Sequence, residues 1–261
     1  MDILQKIVQH KKREITLKKK LIPVQQLKGG DLFARPTHSL SGALKNSKSG
    51  VIAEFKRRSP SKSVINHHST VENVATAYEK AGVCGMSVLT DSHFFGGSPE
   101  DLQIARASTN LPLLRKDFMI DEYQFYEARA LGADVVLLIA AILDKEDIRK
   151  FTDLAHQLDL EVLLEVHNRA ELEKSLLTDI DMIGVNNRNL KTFEVSLETS
   201  RELAPLIPDG IVKVSESGLS KVRAINELRE MGYRGFLIGE TFMATRDPGH
   251  QAAEFIKTLE S

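Results

Sequence analysis

Short apolar runs, several rich in β-branched residues, begin near Val51, Gly85, Leu111, Asp134, Glu161, Met182, Ile211 and Gly235. The segments between them carry apolar positions at helical spacing. This alternation predicts eight strands, each followed by a helix. Gly82, Gly132 and Gly232 each stand just before the next strand, where a residue without Cβ can take the left-handed conformation that stops a helix. Ser69-Thr70-Val71-Glu72 predicts a capping box, with Ser69 accepting from the first turn and Glu72 reaching back, on a helix that runs to Ala81.

Eight consecutive units of this kind predict the α/β class and a (β/α)8 TIM barrel with an amino-terminal helical extension. An open doubly wound sheet is the alternative, but no Gly-x-Gly-x-x-Gly follows the first strand. Residues 1–48 are expected to form the extension and 49–261 the barrel, one structural domain overall. The extension reads as a helix from about Leu4 to Lys20, a stretch through Gly29-Gly30 and Pro36, and a short turn or helix over 41–46. Such a segment is placed to cover one end of the barrel.

Strand periodicity also sorts the side chains. In the first strand Val51, Ala53 and Phe55 suit the helix layer, which leaves Ile52, Glu54 and Lys56 facing the axis. In the fifth, Val162, Leu164 and Val166 point out, and Leu163 and Glu165 point in. In the sixth, Ile183 and Val185 point out, and Gly184, Asn186 and Arg188 point in. The third strand delivers Lys116 at its end. Active sites of barrels lie at the carboxyl ends of the strands, so Glu54, Lys56, Lys116, Glu165, Asn186 and Arg188 are expected around one mouth. Interleaved lysines and glutamates suit general acid/base work, because each sign offsets the cost of burying the other and moves its pKa.

Composition narrows the function classes. The 261 residues are 42% hydrophobic, enough for a substantial core, and 35 basic against 36 acidic residues favour neither nucleic acid nor an anionic membrane as partner. No run reaches the roughly 18 apolar residues of a membrane span, and the start has no signal-peptide pattern. A soluble, cytoplasmic protein with no obligate protein partner is expected. Lys11-Lys12-Arg13 and Lys18-Lys19-Lys20, with Glu14 between, read as a solvated helix face. The one cysteine, Cys84, excludes an internal disulfide and reads as a small buried thiol. His67-His68 and the isolated His93, His156 and His167 have no metal-ligand spacing, so no metal is predicted, and no Gly-x-Ser-x-Gly elbow is present.

Two further features bear on a ligand. Ser215-Glu216-Ser217-Gly218 and Ile238-Gly239-Glu240 follow the seventh and eighth strands, where barrels often hold phosphate on backbone N–H groups. Glu240 fits beside an anion only if its side chain turns away and its N–H donates. Phe94-Phe95-Gly96-Gly97, after the second strand, can wall an aromatic substrate, whereas Tyr123, Phe125 and Tyr126 read as core.

Taken together these stretches closely resemble the indole-3-glycerol-phosphate synthase family of tryptophan biosynthesis. The resemblance rests on Val51-Ile-Ala-Glu-Phe-Lys-Arg-Arg-Ser-Pro-Ser-Lys62, Ser87-Val-Leu-Thr-Asp91 with Phe94-Phe-Gly-Gly97, Leu114-Arg-Lys-Asp-Phe118, Leu164-Glu-Val166, Ile183-Gly-Val-Asn-Asn-Arg188, Ser215-Glu-Ser-Gly218 and Leu237-Ile-Gly-Glu240. It implies a lyase that converts 1-(2-carboxyphenylamino)-1-deoxyribulose 5-phosphate into indole-3-glycerol phosphate, carbon dioxide and water, without cofactor. It further implies Lys116 as general acid at the substrate ketone, Glu165 and Lys56 as base and acid of the dehydration, and Glu54 and Glu216 as holders of the lysines. By the same resemblance Asn186 orients the glutamate or the substrate and Arg188 supports the network. Ser59, Ser217, Gly218, Gly239 and the Glu240 amide match the substrate and phosphate contacts, and Phe95 and Phe118 the flanks of the anthranilate ring.

Two departures are visible: Ser63 stands where the family usually has glycine, and the chain has no tryptophan. A phosphoribosylanthranilate isomerase, a barrel with a cysteine base, is disfavoured because Cys84 opens the second strand rather than ending the first. A catalytically silent barrel would be expected to have lost Lys116, Glu165 or Lys56. A Schiff-base aldolase would also use a barrel lysine, and borohydride trapping would reveal it.

Overall fold

The computed structural model describes residues 3–60, 62–176, 179–190 and 192–261. Ser61, part of the motif after the first strand, lies outside the described residues, as do Met1 and Asp2 of the extension. The chain opens with helices α1 (Ile3–Leu21), α2 (Val24–Lys28) and α3 (Leu40–Asn46), with a 3-10 turn at Asp31–Phe33. Strands and helices then alternate: β1 (Val51–Phe55), α4 (Val71–Lys80), β2 (Gly85–Leu89), α5 (Ser92–Phe95), α6 (Pro99–Ser108), β3 (Leu113–Lys116), α7 (Tyr123–Ala130) and β4 (Val135–Ile139). The second half continues with α8 (Lys145–Gln157), β5 (Glu161–Val166), α9 (Arg169–Ser175), β6 (Met182–Asn186), α10 (Glu198–Leu203), β7 (Val212–Glu216), α11 (Val222–Glu230) and β8 (Tyr233–Ile238). It ends with α12 (Glu240–Met243) and α13 (Pro248–Glu260). Each strand pairs in parallel with the next, and β8 pairs with β1 to close the barrel.

Two apolar populations divide along the predicted parity. Val51, Ala53, Phe55, Val162, Leu164, Ile183 and Val185 pack in the layer between strands and helices. Ile52, Leu114, Leu137, Leu163, Met182, Val214 and Leu237 fill the barrel interior. Gly82, Gly132 and Gly232 take φ of 80°, 87° and 91° at the ends of α4, α7 and α11, as their spacing predicts. Tyr123 and Phe125 are buried core residues, and Cys84 is a buried free thiol. Among the described residues no helix is long and apolar enough to cross a membrane.

The capping box is displaced by one residue. Asn66 Oδ1 accepts from the N–H groups of His68 and Ser69, which keeps Ser69 in the preceding turn. Thr70 caps α4 instead, its Oγ1 accepting from the Asn73 N–H at 3.4 Å.

The extension reaches both ends of the barrel rather than one. Helix α3 seats Leu40 and Leu44, both fully buried, against the amino-terminal ends of β2 and β8, where a Cβ on Gly85 would lie 2.6 Å from Leu40 and one on Gly235 3.1 Å from Leu44. The Glu161 carboxylate, at the start of β5, holds this helix. It accepts from Ser39 Oγ and Ser41 Oγ at 2.6 and 2.7 Å and from the N–H groups of Leu40 and Ser41 at 2.8 and 2.9 Å. Replacing Glu161 by alanine leaves these donors without their anion and is expected to cost about 2 kcal/mol in urea unfolding. Turnover per folded molecule should not change, because the contact lies opposite the carboxyl ends of the strands.

Helix α1 lies across the other end, and here the solvated-face expectation fails at Lys11. Lys11 is fully buried, its Nζ 2.8 Å from Glu14, 3.1 Å from Asp91 and 3.0 Å from Asp117. Burial alone would lower its pKa, but Asp117, Asp91 and Glu14 raise it above the ordinary lysine value. Lys18 bridges Glu14 and Glu127, and Lys19 pairs with Asp121, while Lys12, Arg13 and Lys20 remain exposed.

Candidate active site

A cavity of about 580 Å³ opens at the carboxyl ends of the strands. Glu54, Lys56, Ser59, Phe95, Lys116, Phe118, Glu165, Asn186, Arg188, Glu216, Ser217, Gly218, Gly239 and Glu240 all line it. The cavity therefore brings together the predicted acid/base, substrate and phosphate residues, Phe94 excepted. Helix α1 adds Ile3, Leu4 and Ile7 to the wall, in a chain without tryptophan.

Two ammonium groups sit among three carboxylates. Lys116 Nζ lies 2.5 Å from Glu216 Oε2 and 3.1 Å from Glu165 Oε2. Lys56 Nζ lies 2.7 Å from Glu54 Oε1, and Ser87 Oγ donates to the other oxygen at 3.4 Å. Burial would discharge Lys116, but Glu216, Glu165 and Glu54 outweigh it and hold its pKa above the ordinary value. Burial also opposes ionisation of Glu54, yet Lys56 and Lys116 pull its pKa below the usual carboxylate value.

The pair on Lys116 is asymmetric. Burial raises Glu216, Lys116 opposes, and the neighbouring charges of Glu165 and Glu54 add to the rise, so its pKa is pushed up to about 7. Glu165 is equally buried, but Lys116 and His167 hold it well below the usual carboxylate range. Two glycines make these seats possible. A Cβ on Gly184 would lie 2.2 Å from Glu216 Oε1, and one on Gly239 2.6 Å from Glu54 Oε1.

The remaining residues form the rim. Asn186 Oδ1 accepts from Ser217 Oγ at 2.9 Å and from the Arg188 N–H at 3.0 Å, so in this state it orders the rim rather than a glutamate. Ser217 takes φ of 69° beside Gly218 at 77°, a backbone that L side chains seldom adopt and that recurs at ligand-binding loops. Arg188 donates to the carbonyl of Phe193, which also lines the cavity. The Glu240 carboxylate turns to Lys62 at 2.7 Å, joining the start of α12 to the loop after β1. Ser63 in the first of these loops is exposed and is not among the non-glycine residues at positive φ, so its Cβ imposes no backbone strain there.

The aromatic wall is narrower than the sequence predicts. The Phe95 and Phe118 rings pack at a tilt with centroids 5.9 Å apart, but Phe94 packs on His10 and His93 instead. Asp91 caps the turn that presents Phe95, accepting from the N–H groups of Phe94 and Phe95. Asp117 accepts from the Phe118 N–H at 2.8 Å. Lys11 thus pins both carboxylates that shape this slot.

One residue escaped the sequence reading. His167 Nε2 lies 3.3 Å from Glu165 Oε1. Its position two residues after Glu165, on the same strand parity, was the available signal.

Comparison with known proteins finds matches along nearly the whole chain. The family model of indole-3-glycerol phosphate synthase matches residues 4–255. The indole-3-glycerol phosphate synthase of Bacteroides thetaiotaomicron is 48% identical over 259 residues, 99% of each chain. That of Paracidovorax citrulli is 42% identical, covering 97% of this chain and 98% of the relative. Among solved structures, a thiamine phosphate pyrophosphorylase from Pyrococcus furiosus is similar at a TM-score of 0.60 and 16% identity, over 82% of this chain and 98% of that one, a likeness of fold alone. A barrel with this set of strand-end residues, matched nearly end to end by these relatives, belongs to the indole-3-glycerol phosphate synthase family.

Proposed function

We propose that the protein is a carboxy-lyase that closes, decarboxylates and dehydrates 1-(2-carboxyphenylamino)-1-deoxyribulose 5-phosphate to indole-3-glycerol phosphate. The observation that carries this reading is the Lys116 ammonium held between Glu165 and Glu216 in the same cavity as the Lys56–Glu54 pair. Lys116 gives its proton to the ketone oxygen as the ring carbon bearing the carboxylate attacks, forming the new carbon–carbon bond and a hydroxyl. Loss of carbon dioxide returns its bonding electrons to the ring. Glu165 then accepts a proton from the ring system while Lys56 protonates the departing hydroxyl, which leaves as water.

The rest of the cavity suits the substrate. Phe95 and Phe118 flank the anthranilate ring, and Ser217, Gly218, Gly239 and the Glu240 N–H receive the phosphate. Ser59 and Arg188 line the path between, with Lys56 adding a cation. Asn186 positions Ser217 for the same ligand. No cofactor enters any step, and the partner is the phosphorylated small molecule alone.

The test is to mix chelator-treated protein with this substrate and follow indole fluorescence. A rise that chelation does not diminish supports the reading. Binding without any rise would overturn it in favour of a silent barrel.

A further inference from the structure

Glu165 and Glu216 both reach Lys116, but their second oxygens meet different surroundings. Oε1 of Glu216 lies over Gly184 and has no hydrogen-bond partner among the described residues. Oε1 of Glu165 faces His167 Nε2 at 3.3 Å.

His167 is itself clamped. Its Nδ1 lies 3.1 Å from Glu171 Oε2, and its backbone N–H donates to the same oxygen at 2.9 Å. Asn168 fixes that carboxylate in turn, donating from Nδ2 to Glu171 Oε1 at 2.7 Å while its Oδ1 caps α9 by accepting from the Glu171 N–H. Nδ1 is hydrogen-bonded to Glu171, while Nε2 lies at ion-pair distance from Glu165 without an aligned hydrogen bond, and two carboxylates beside one buried ring favour its charged imidazolium form. Burial disfavours that form, but Glu165 and Glu171 outweigh it and raise the His167 pKa to about 10.

The charges that face Glu165 are Lys116 from β3, Glu216 from β7 and His167; Glu54, paired with Lys56 at the end of β1, acts on the same Lys116. Those that face His167 are Glu165 and Glu171; Lys174 on α9 is engaged with the carbonyls of Ala140 and Leu143. Four carboxylates, Glu54, Glu165, Glu171 and Glu216, thus share three cations, Lys56, Lys116 and His167. One proton among the carboxylates balances the set, and it rests where the anion is worst served. Glu216, whose Oε1 has no hydrogen-bond partner among the described residues, is the carboxylate whose pKa is raised.

We propose that His167 is the positioning residue for the base: clamped by Glu171, it fixes the Glu165 carboxylate and keeps the negative charge on it rather than on Glu216. The proposal rests on the functional reading only in naming Glu165 the base. His167 does not line the cavity and acts through Glu165 alone.

Carboxyl-13C-glutamate labelling tests it, with Glu165 and Glu216 assigned by the signals lost in Glu165→Gln and Glu216→Gln. In the wild type, Glu165 should stay ionised through the neutral range while Glu216 titrates near 7. In His167→Gln, which keeps an amide donor but no charge, the Glu165 midpoint should rise by at least about one unit and that of Glu216 should fall. Glu171→Gln, which unclamps the imidazole, should move both midpoints in the same directions by less. The acid limb of the kcat profile should follow Glu165, with kcat in its steep region falling about tenfold and KM nearly constant. An unmoved Glu165 midpoint in both folded variants would overturn the proposal. The titration needs no turnover, so an inactive wild type would count against the functional reading while this inference is decided by the spectra.

Discussion

Lys116→Ala is expected to lower kcat by about two to four orders of magnitude, the usual contribution of a positioned general acid. The physical basis is that Lys116 pairs with both Glu165 and Glu216. Its ammonium is held charged by them and by Glu54, so the ketone oxygen meets a donor already in place. Single-turnover measurements should separate it from Lys56. Ring closure precedes carbon dioxide release, so Lys116→Ala should release none in the first turnover. Lys56→Ala should still release it while indole fluorescence lags. If Lys116→Ala retained most of the wild-type turnover, the assignment of the acid would have to be abandoned.

The second large effect is on stability. Lys11→Met should destabilise the protein by about 3–5 kcal/mol in denaturant unfolding, because it strands buried carboxylates that the ammonium now serves. The loss should exceed that of any exposed lysine on α1. Its pH dependence follows from the signs of the shifts. Burial would raise Asp117, but Lys11 and Arg115 hold its pKa below the ordinary 3.8. Its stabilisation is therefore present above 3.8 and is lost as pH falls through the lower folded value. The Lys11 pKa is raised above 10.5, so its own contribution is complete at neutral pH and is lost only as strongly alkaline solution is reached. The penalty of Lys11→Met should thus be full near pH 7 and shrink as the solution becomes strongly acidic. A penalty constant with pH would show that packing, not charge, carries the effect.

Lys11→Met should also raise KM more than it lowers kcat in the surviving folded fraction. Asp91 presents Phe95 and Asp117 holds the Phe118 N–H, so a loosened anchor disturbs the aromatic slot before the acid/base pairs. Helix α1 is in this sense part of the binding wall.

Much of the site was legible from the chain because strand alternation is a local property. Glu54 and Lys56 share a side of β1, and Glu165 faces inward from β5, whatever lies across from them, since the pleat alone alternates side chains. The strand number and the barrel rule then carry these residues to one mouth. The glycines that stop α4, α7 and α11 were legible for the same reason, since a left-handed residue is a requirement of the backbone itself.

What the tertiary structure decided were charges and contacts between distant segments. The basic composition around Lys11 reads as solvent-facing until barrel closure sets Asp91 and Asp117, from two different strand ends, against α1. Asn66 moved the cap from Ser69 to Thr70 by a turn that spacing alone does not specify. His167 is one histidine among eight in the sequence and becomes a partner of Glu165 only through Glu171 on the following helix. A pattern of residues fixes which way each side chain points, because that depends on neighbours along the chain. Which proton rests on which carboxylate depends on burial and on charges brought from other strands, and only the closed barrel sets those.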